Sequence, residues 1–332
     1  MLNKIIYIIS AVFFVTIVGK NFHLLDSVPN DLLKAKLGFL LLALFLQVLK
    51  HLVMAYNFYA NFKKIDINFS YFEVLKLTFV YIYLCVATPF VGAGGVIAFI
   101  DYAKSKGISK MKVASSTFLA LLQDFLSFFI IIVLALILFS SSISDFPVTQ
   151  IIGFLIVGFL MLFLVFVGIF RHNLLVKFFK LVQKLANFVS FKVHKKVHFD
   201  ESWAERNIDM AHECFIDIRK DPWFYIKIIG VSFSAHVLNI ATLAAVAFSF
   251  KEAVSISKMT SIYVVLNTLE SFSPTPNGIG WIESLVPEYM SGYLGFDAGN
   301  SLIVITIFRV IYFYLPLLLG FYLSYSLWKK LK

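Results

Sequence analysis

Ser273-Pro274-Thr275-Pro276-Asn277-Gly278-Ile279-Gly280-Trp281-Ile282-Glu283 interrupts an apolar run that begins at Met259 and resumes to about residue 290. Proline has no amide hydrogen to donate and glycine readily takes non-helical backbone, so a helix does not continue through this stretch. Thr88-Pro89-Phe90-Val91-Gly92-Ala93-Gly94-Gly95 breaks a second run in the same way. That run starts at Tyr71 and resumes from Val96 to about Tyr102. Each reads as a helix–break–helix hairpin that dips into a membrane, with its irregular backbone sheltered by protein.

The rest of the chain supplies the membrane. Of 332 residues, 60% are hydrophobic and 14% charged, whereas a soluble domain carries about 25% charged residues. A soluble chain of this kind would lack the polar surface to cover its core. Apolar runs fall at about 5–25, 37–60, 71–88, 111–139, 148–170, 224–250, 259–272 and 300–328, and most reach the roughly 20 residues that a spanning helix needs. The expected fold is all-α: a polytopic transmembrane helical bundle with two re-entrant hairpins, residues 1–332 forming a single integral membrane domain. Lys4 followed by an apolar run reads as a retained first helix, since no small-residue cleavage pattern follows it. Cys85 and Cys214 lie far apart, so no disulfide is expected.

The net charge of +10 sits in the loops between apolar runs, which points to orientation and anionic lipid rather than nucleic acid. With the N-terminus in the cytoplasm, the inner segments hold Lys63, Lys64, Lys76, Lys104, Lys106, Lys110, Lys112, the basic stretch 171–227 and the tail lysines Lys329, Lys330 and Lys332. The outer ones hold only Lys20, Lys34, Lys36, Lys251 and Lys258. This assignment puts both termini on the cytoplasmic side of a cell membrane, and requires the two hairpins to enter from opposite faces. An offset of 185 then pairs Pro89 with Pro274, Gly95 with Gly280, and Asp124 with Arg309. The matching order of elements in opposite orientation is that of an inverted repeat, a recurring transporter plan.

Residues 171–222 form the only long polar stretch, expected to be a cytoplasmic amphipathic insertion. Phe178, Phe179, Val182 and Leu185 recur at helical spacing among Lys177, Lys180 and Lys184, so residues 171–198 suit an anionic lipid surface. His194 and His198 have no further ligand set near them, and neither a metal nor any other cofactor is expected.

Ionisable groups inside a bilayer need partners or a polar cavity. The candidates are Lys50, His51, Asp124, His236, Glu270, Glu283 and Arg309. Arg309 lies well inside its helix and keeps its charge. It pairs with Asp124, Glu270 or Glu283, or grips a lipid phosphate with its planar fork, or does each at a different stage of a transport cycle; in the phosphate role its removal abolishes lipid movement without unfolding the protein. Short helices begin after Gly94-Gly95 and after Gly278-Ile279-Gly280, and their N-terminal amides favour an anion. Glu283 stands in the first turn of the second of these, where it caps the helix, pairs with Arg309, or holds a headgroup amine. His236 and Asn239 read as interhelical hydrogen-bonding residues. No nucleophile elbow, zinc-protease motif or phosphate-binding loop occurs, so no enzyme activity and no ATP-driven step are expected.

The stretch 273–283 resembles a proline–glycine–glutamate signature of the transmembrane region of lysylphosphatidylglycerol synthases and their stand-alone relatives. The helix carrying Arg309, the following Leu315-Pro316-Leu317-Leu318-Leu319-Gly320, and the Thr88–Gly95 segment ahead of the helix with Asp124 fit the same pattern. The resemblance implies movement of an anionic or aminoacylated phospholipid across the membrane. It places the aminoacyl transfer in a separate soluble domain, so that activity is not carried over. The expected site gathers Arg309, Glu283, Gly94, Gly95, Gly278, Gly280, Asp124, Glu270 and Lys50 around a membrane phospholipid. Two other readings stand beside it: a membrane enzyme acting on polyprenyl phosphates, and a non-catalytic partner of a separate synthase. The protein partners considered are a separate synthase or a second copy of the chain in a homo-oligomer.

Overall fold

The computed structural model describes residues 35–87, 93–138, 217–250, 255–272 and 276–330, with isolated positions between 152 and 187. The expected span at 5–25, residues 88–92 of the first break, and most of the stretch from 139 to 216 lie outside the described residues. Those include the span expected at 148–170 and the basic surface at 171–198.

Among the described residues the regular structure is helical throughout, with no strand. In chain order the helices are α1 (Leu37–Lys64), α2 (Tyr71–Ala87), α3 (Ala93–Ser105), α4 (Lys110–Leu138), α5 (Pro222–Ser249), α6 (Ile256–Phe272), α7 (Trp281–Leu294), α8 (Ala298–Arg309) and α9 (Leu315–Lys330). A single π-helical segment, Val310–Tyr314, joins α8 to α9. Four stretches are long and apolar enough to cross a membrane: Leu37–Lys64, Lys110–Ile137, Pro222–Ser249 and Gly299–Ser326. Each has 28 residues, or about 42 Å at 1.5 Å per residue, enough to cross a hydrocarbon core of about 30 Å.

Local chemistry marks where these helices begin. Ser70 and Glu73 form a reciprocal cap on α2, the Ser70 N–H donating to Glu73 Oε2 at 2.8 Å and the Glu73 N–H to Ser70 Oγ at 3.3 Å. Asp221 accepts from the Phe224 N–H at 3.2 Å, and Pro222 occupies the first turn of α5, where no amide partner is needed. Asp297 does the same for α8 through Asn300, at 2.9 Å. The π segment has its own cause one turn on. Pro316 brings no amide hydrogen and its ring crowds the carbonyl four residues back, and a widened turn just before it relieves the clash.

Packing follows the apolar faces. α1 lies along α5, α4 also rests on α5, and α2 contacts α3 on one side and α9 on the other. Gly320 makes the last contact possible: a Cβ there would collide with the carbonyl oxygen of Phe79 on α2. Large apolar side chains also point away from the protein, among them Phe45 and Val48 on α1, Ile137 on α4, Trp223 on α5 and Tyr322 on α9. A belt of this kind is what lipid rather than water requires. Between α1, α4 and α5 a chain of amides replaces hydrocarbon. Asn57 donates to Ser232 Oγ at 2.5 Å, and Asn61 donates to Gln123 Oε1 at 2.7 Å. These bonds satisfy polar groups that lipid cannot, and fix the three helices in one register.

Candidate functional site

The turn between α6 and α7 is built for one guanidinium. Asn277 and Gly278 both take positive φ, at 49° and 68°, and Gly280 stands at φ 86° as the N-cap of α7. This left-handed backbone turns the Asn277 carbonyl toward Arg309 and lets the Gly280 N–H reach Glu283 Oε2 at 2.8 Å. The side chain of Arg309 is 0% exposed. Its Nε donates to Glu283 Oε1 at 3.1 Å, one terminal nitrogen to Glu270 Oε1 at 2.8 Å, and the other to the Asn277 carbonyl at 3.0 Å. The Phe313 ring covers it, 4.3 Å from guanidinium carbon to ring centre. Tyr312 and Tyr314 donate to Glu270 Oε2 and Glu283 Oε1, at 3.0 and 3.3 Å. The π segment brings all three aromatic residues to the clamp directly after Arg309.

Arg309 therefore ties α6, the turn and α7 to the α8–α9 helix. Of the two roles the sequence left open for it, the internal pair is the one formed here. Glu283 fills two of its three: it caps α7 and pairs with Arg309. The N-terminal amide of Gly280 is thus satisfied by the chain's own carboxylate. Gly278 and Gly280 shape the turn, while Gly94 and Gly95 lie in the first turn of α3, where Gly95 packs against Tyr81 and Cys85 of α2.

A cavity of about 260 Å³ opens beside this clamp. Lys50, Asp124 and Glu270 line it, together with His51, His236, Asn239, Tyr263, Asn267, Ser271 and Tyr312. Its position follows from helix length. Lys50, Asp124 and His236 fall near the midpoints of α1, α4 and α5, the three long helices other than α8–α9. Three helices thus bring a polar residue to one height, where charge is costliest in lipid, at about 2.5–3.5 kcal/mol for a lysine or aspartate. The neutral polar groups are held in a lattice. Asn239 donates to the Tyr263 hydroxyl at 3.1 Å, His236 Nδ1 bonds the same hydroxyl at 2.6 Å, and Gln47 donates to Asn239 Oδ1 at 3.0 Å. His236 Nε2 stands 3.5 Å from Asp124 Oδ1.

Lys50 differs from Arg309. Among the described residues it has no hydrogen bond, and its Nζ lies 5.2 Å from the centre of the Tyr312 ring. The carboxylates acting on it are Asp124 and Glu270. The Asp124 side chain is 51% exposed, with His236 Nε2 3.5 Å away on one side and the open cavity on the other. The cavity is thus lined by a cation and two carboxylates, of which Glu270 is also held by Arg309 and Tyr312 and Asp124 is the more exposed. Among the described residues no group of histidine, cysteine and carboxylate side chains is placed to hold a metal.

Lys50, Asp124, Glu270, Glu283 and Arg309 are legible in the sequence as ionisable residues in apolar runs, but their division into clamp and cavity is not. Tyr312 and Tyr314, within five residues of Arg309 in an apolar helix, and Tyr263, whose hydroxyl sits opposite His236, carry no such mark in the sequence. Nor does Gln47, one turn before His51.

Fold and site define a polytopic α-helical membrane protein with a charged cavity at mid-length of its spanning helices. Residues 5–320, nearly the whole chain, match the family described as the lysylphosphatidylglycerol synthase TM region, and the chain belongs to that family. This membership ties it to membrane lipid. No curated protein matches the chain.

Proposed function

We propose that the protein moves an anionic or aminoacylated phospholipid between leaflets, with the headgroup passing through the cavity between α1, α4, α5 and α6. The observation that carries this reading is Lys50, an ammonium lining a cavity between membrane-crossing helices without a hydrogen bond to the described protein. A phosphate is the complement of that ammonium, and Asp124 and Glu270 are complements of an aminoacyl amine. Arg309 then acts as the fastener that holds the α6–α7 turn against α8–α9, and a change in its pairing is the natural point for the two halves to move apart. α2–α3 and α6–α7 serve as the paired hairpins of an inverted repeat, entering from opposite faces with both termini in the cytoplasm. With no ATP site in the reading, movement is passive or follows an ion gradient.

The test is leaflet exchange in liposomes with purified protein and labelled phosphatidylglycerol, its lysyl ester, and a polyprenyl phosphate. Movement of either phospholipid above empty vesicles supports the reading and assigns the headgroup. Movement of none by folded protein sinks it, and leaves the enzyme and synthase-partner readings.

A further inference from the structure

A second cavity, of about 330 Å³, lies between α1, α2 and the start of α9. Leu44, Val48, Phe79 and Leu319 are among its walls, and it shares His51 with the charged cavity. Leu44, Val48 and Leu319 are also exposed on the outer surface, so this cavity opens toward the belt where lipid chains lie. His51 lines both cavities and Gln47, one turn away, lines the apolar one, and each carries a polar atom with no partner. His51 and Gln47 are each 3% exposed, and neither His51 Nε2 nor Gln47 Oε1 has a hydrogen-bond partner.

Their chemistry has one sign. His51 Nδ1 lies 2.7 Å from the Gln47 carbonyl, and a carbonyl can only accept, so the proton is on Nδ1 and Nε2 is an acceptor. Gln47 uses its amide hydrogens on Asn239 Oδ1 and Thr242 Oγ1, at 3.0 and 3.1 Å, which leaves its carbonyl oxygen as the second acceptor. The His51 ring is stacked on Phe79, 5.2 Å between centroids, which fixes its edge where the two cavities meet. Buried acceptors without partners are costly and call for a donor.

Resting on the lipid reading above, we propose that the apolar cavity seats one acyl chain of the lipid whose headgroup occupies the charged cavity, and that His51 and Gln47 accept from a hydroxyl of that lipid at the border. Lipid tails are as apolar as the cavity walls, so the chain gains position there rather than affinity. Selectivity comes from the hydroxyl. A site built to hydrogen-bond a hydroxyl rejects the analogue that lacks it, because its own buried groups are then left unpaired. Two lipid hydroxyls meet the requirement: one in a polyol headgroup, and the free glycerol hydroxyl of a single-chain lysophospholipid.

Photolabelling separates them. The protein in nanodiscs is exposed to phosphatidylglycerol carrying a diazirine on one acyl chain, and labelled peptides are mapped. Label is expected to concentrate in 44–52 and 311–319 and to fall at least about fivefold in Leu319→Trp, a bulky change on a membrane-facing wall, while other lipid-facing peptides are unchanged. Unlabelled competitors then rank the hydroxyls. Phosphatidylglycerol, lysophosphatidylmethanol or both are expected to compete about tenfold better than diacyl phosphatidylmethanol, which has neither hydroxyl. His51→Phe, which keeps the stacked ring, is expected to level that ranking. Label spread evenly over all lipid-facing helices would overturn the chain site, and equal competition by phosphatidylmethanol would overturn the acceptor role. Either failure in a protein that still exchanges lipid between leaflets leaves the transport reading standing.

Discussion

Arg309 and Glu283 are joined through a carboxylate that does two jobs at once: Oε1 accepts the Arg309 Nε at 3.1 Å while Oε2 accepts the Gly280 N–H at 2.8 Å. The residue that caps α7 is therefore the residue that anchors α8–α9 to it. Both side chains are buried, at 0% and 3% exposure. A buried pair of this kind adds little net stability over well-packed hydrocarbon, because desolvation offsets the attraction, but removing one partner strands the other.

Arg309→Met leaves Glu270 and Glu283 without their cation, and is expected to destabilise the fold by about 3–5 kcal/mol. Arg309→Lys restores the charge but has no fork to reach three acceptors, so it recovers only part of this. Thermal unfolding in detergent reads both. An Arg309→Met protein as stable as wild type would contradict the clamp. This expectation belongs to the internal pair; in the phosphate-gripping role that the sequence also allows, the arginine is removable without loss of folding.

How far the sequence could be read follows from the same residues. Among the described residues the apolar runs match the helices, because backbone chemistry and lipid thickness act on short stretches. Ionisable residues in apolar runs flagged the site, since each is costly alone. The division of labour between Arg309 and Lys50 was out of reach. It depends on which helix stands opposite each residue, and on a π segment that turns Tyr312, Phe313 and Tyr314 toward the clamp. The two unpaired acceptors on Gln47 and His51 are also invisible in one dimension, because any glutamine or histidine in a helix has its partners chosen by the fold.

Gly320→Ala tests the close contact of α2 with α9. The added methyl meets the Phe79 carbonyl, part of the backbone, so the two helices have to separate. A loss of about 1–3 kcal/mol is expected from overpacking, seen as a lower melting temperature. Unchanged melting would mean the helices do not approach so closely.

The Lys64–Asp221 ion pair, 2.6 Å between Nζ and Oδ2, joins the end of α1 to the start of α5 at the membrane edge. The Lys64 ammonium, then the Phe224 N–H, hold the Asp221 carboxyl below its usual value. A depressed carboxyl contributes stability above its unfolded pKa of about 3.9 and loses it as pH falls through the lower folded value. Asp221→Asn keeps a capping side chain. Wild type is therefore expected to melt slightly higher than Asp221→Asn near neutrality, with the gap closing below about pH 4. A gap independent of pH would assign the effect to the cap instead of the charge.

Lys50 carries the central claim, and its removal strands no buried carboxylate. Asp124 is half exposed, and Glu270 retains Arg309 and Tyr312. The most direct measurement is leaflet exchange of labelled phosphatidylglycerol and its lysyl ester in liposomes, with wild-type protein beside Lys50→Met. The account predicts that wild type moves at least one of the two above empty vesicles, and that Lys50→Met loses this movement while melting at the same temperature. A folded Lys50→Met protein that moves lipid as fast as wild type would contradict it.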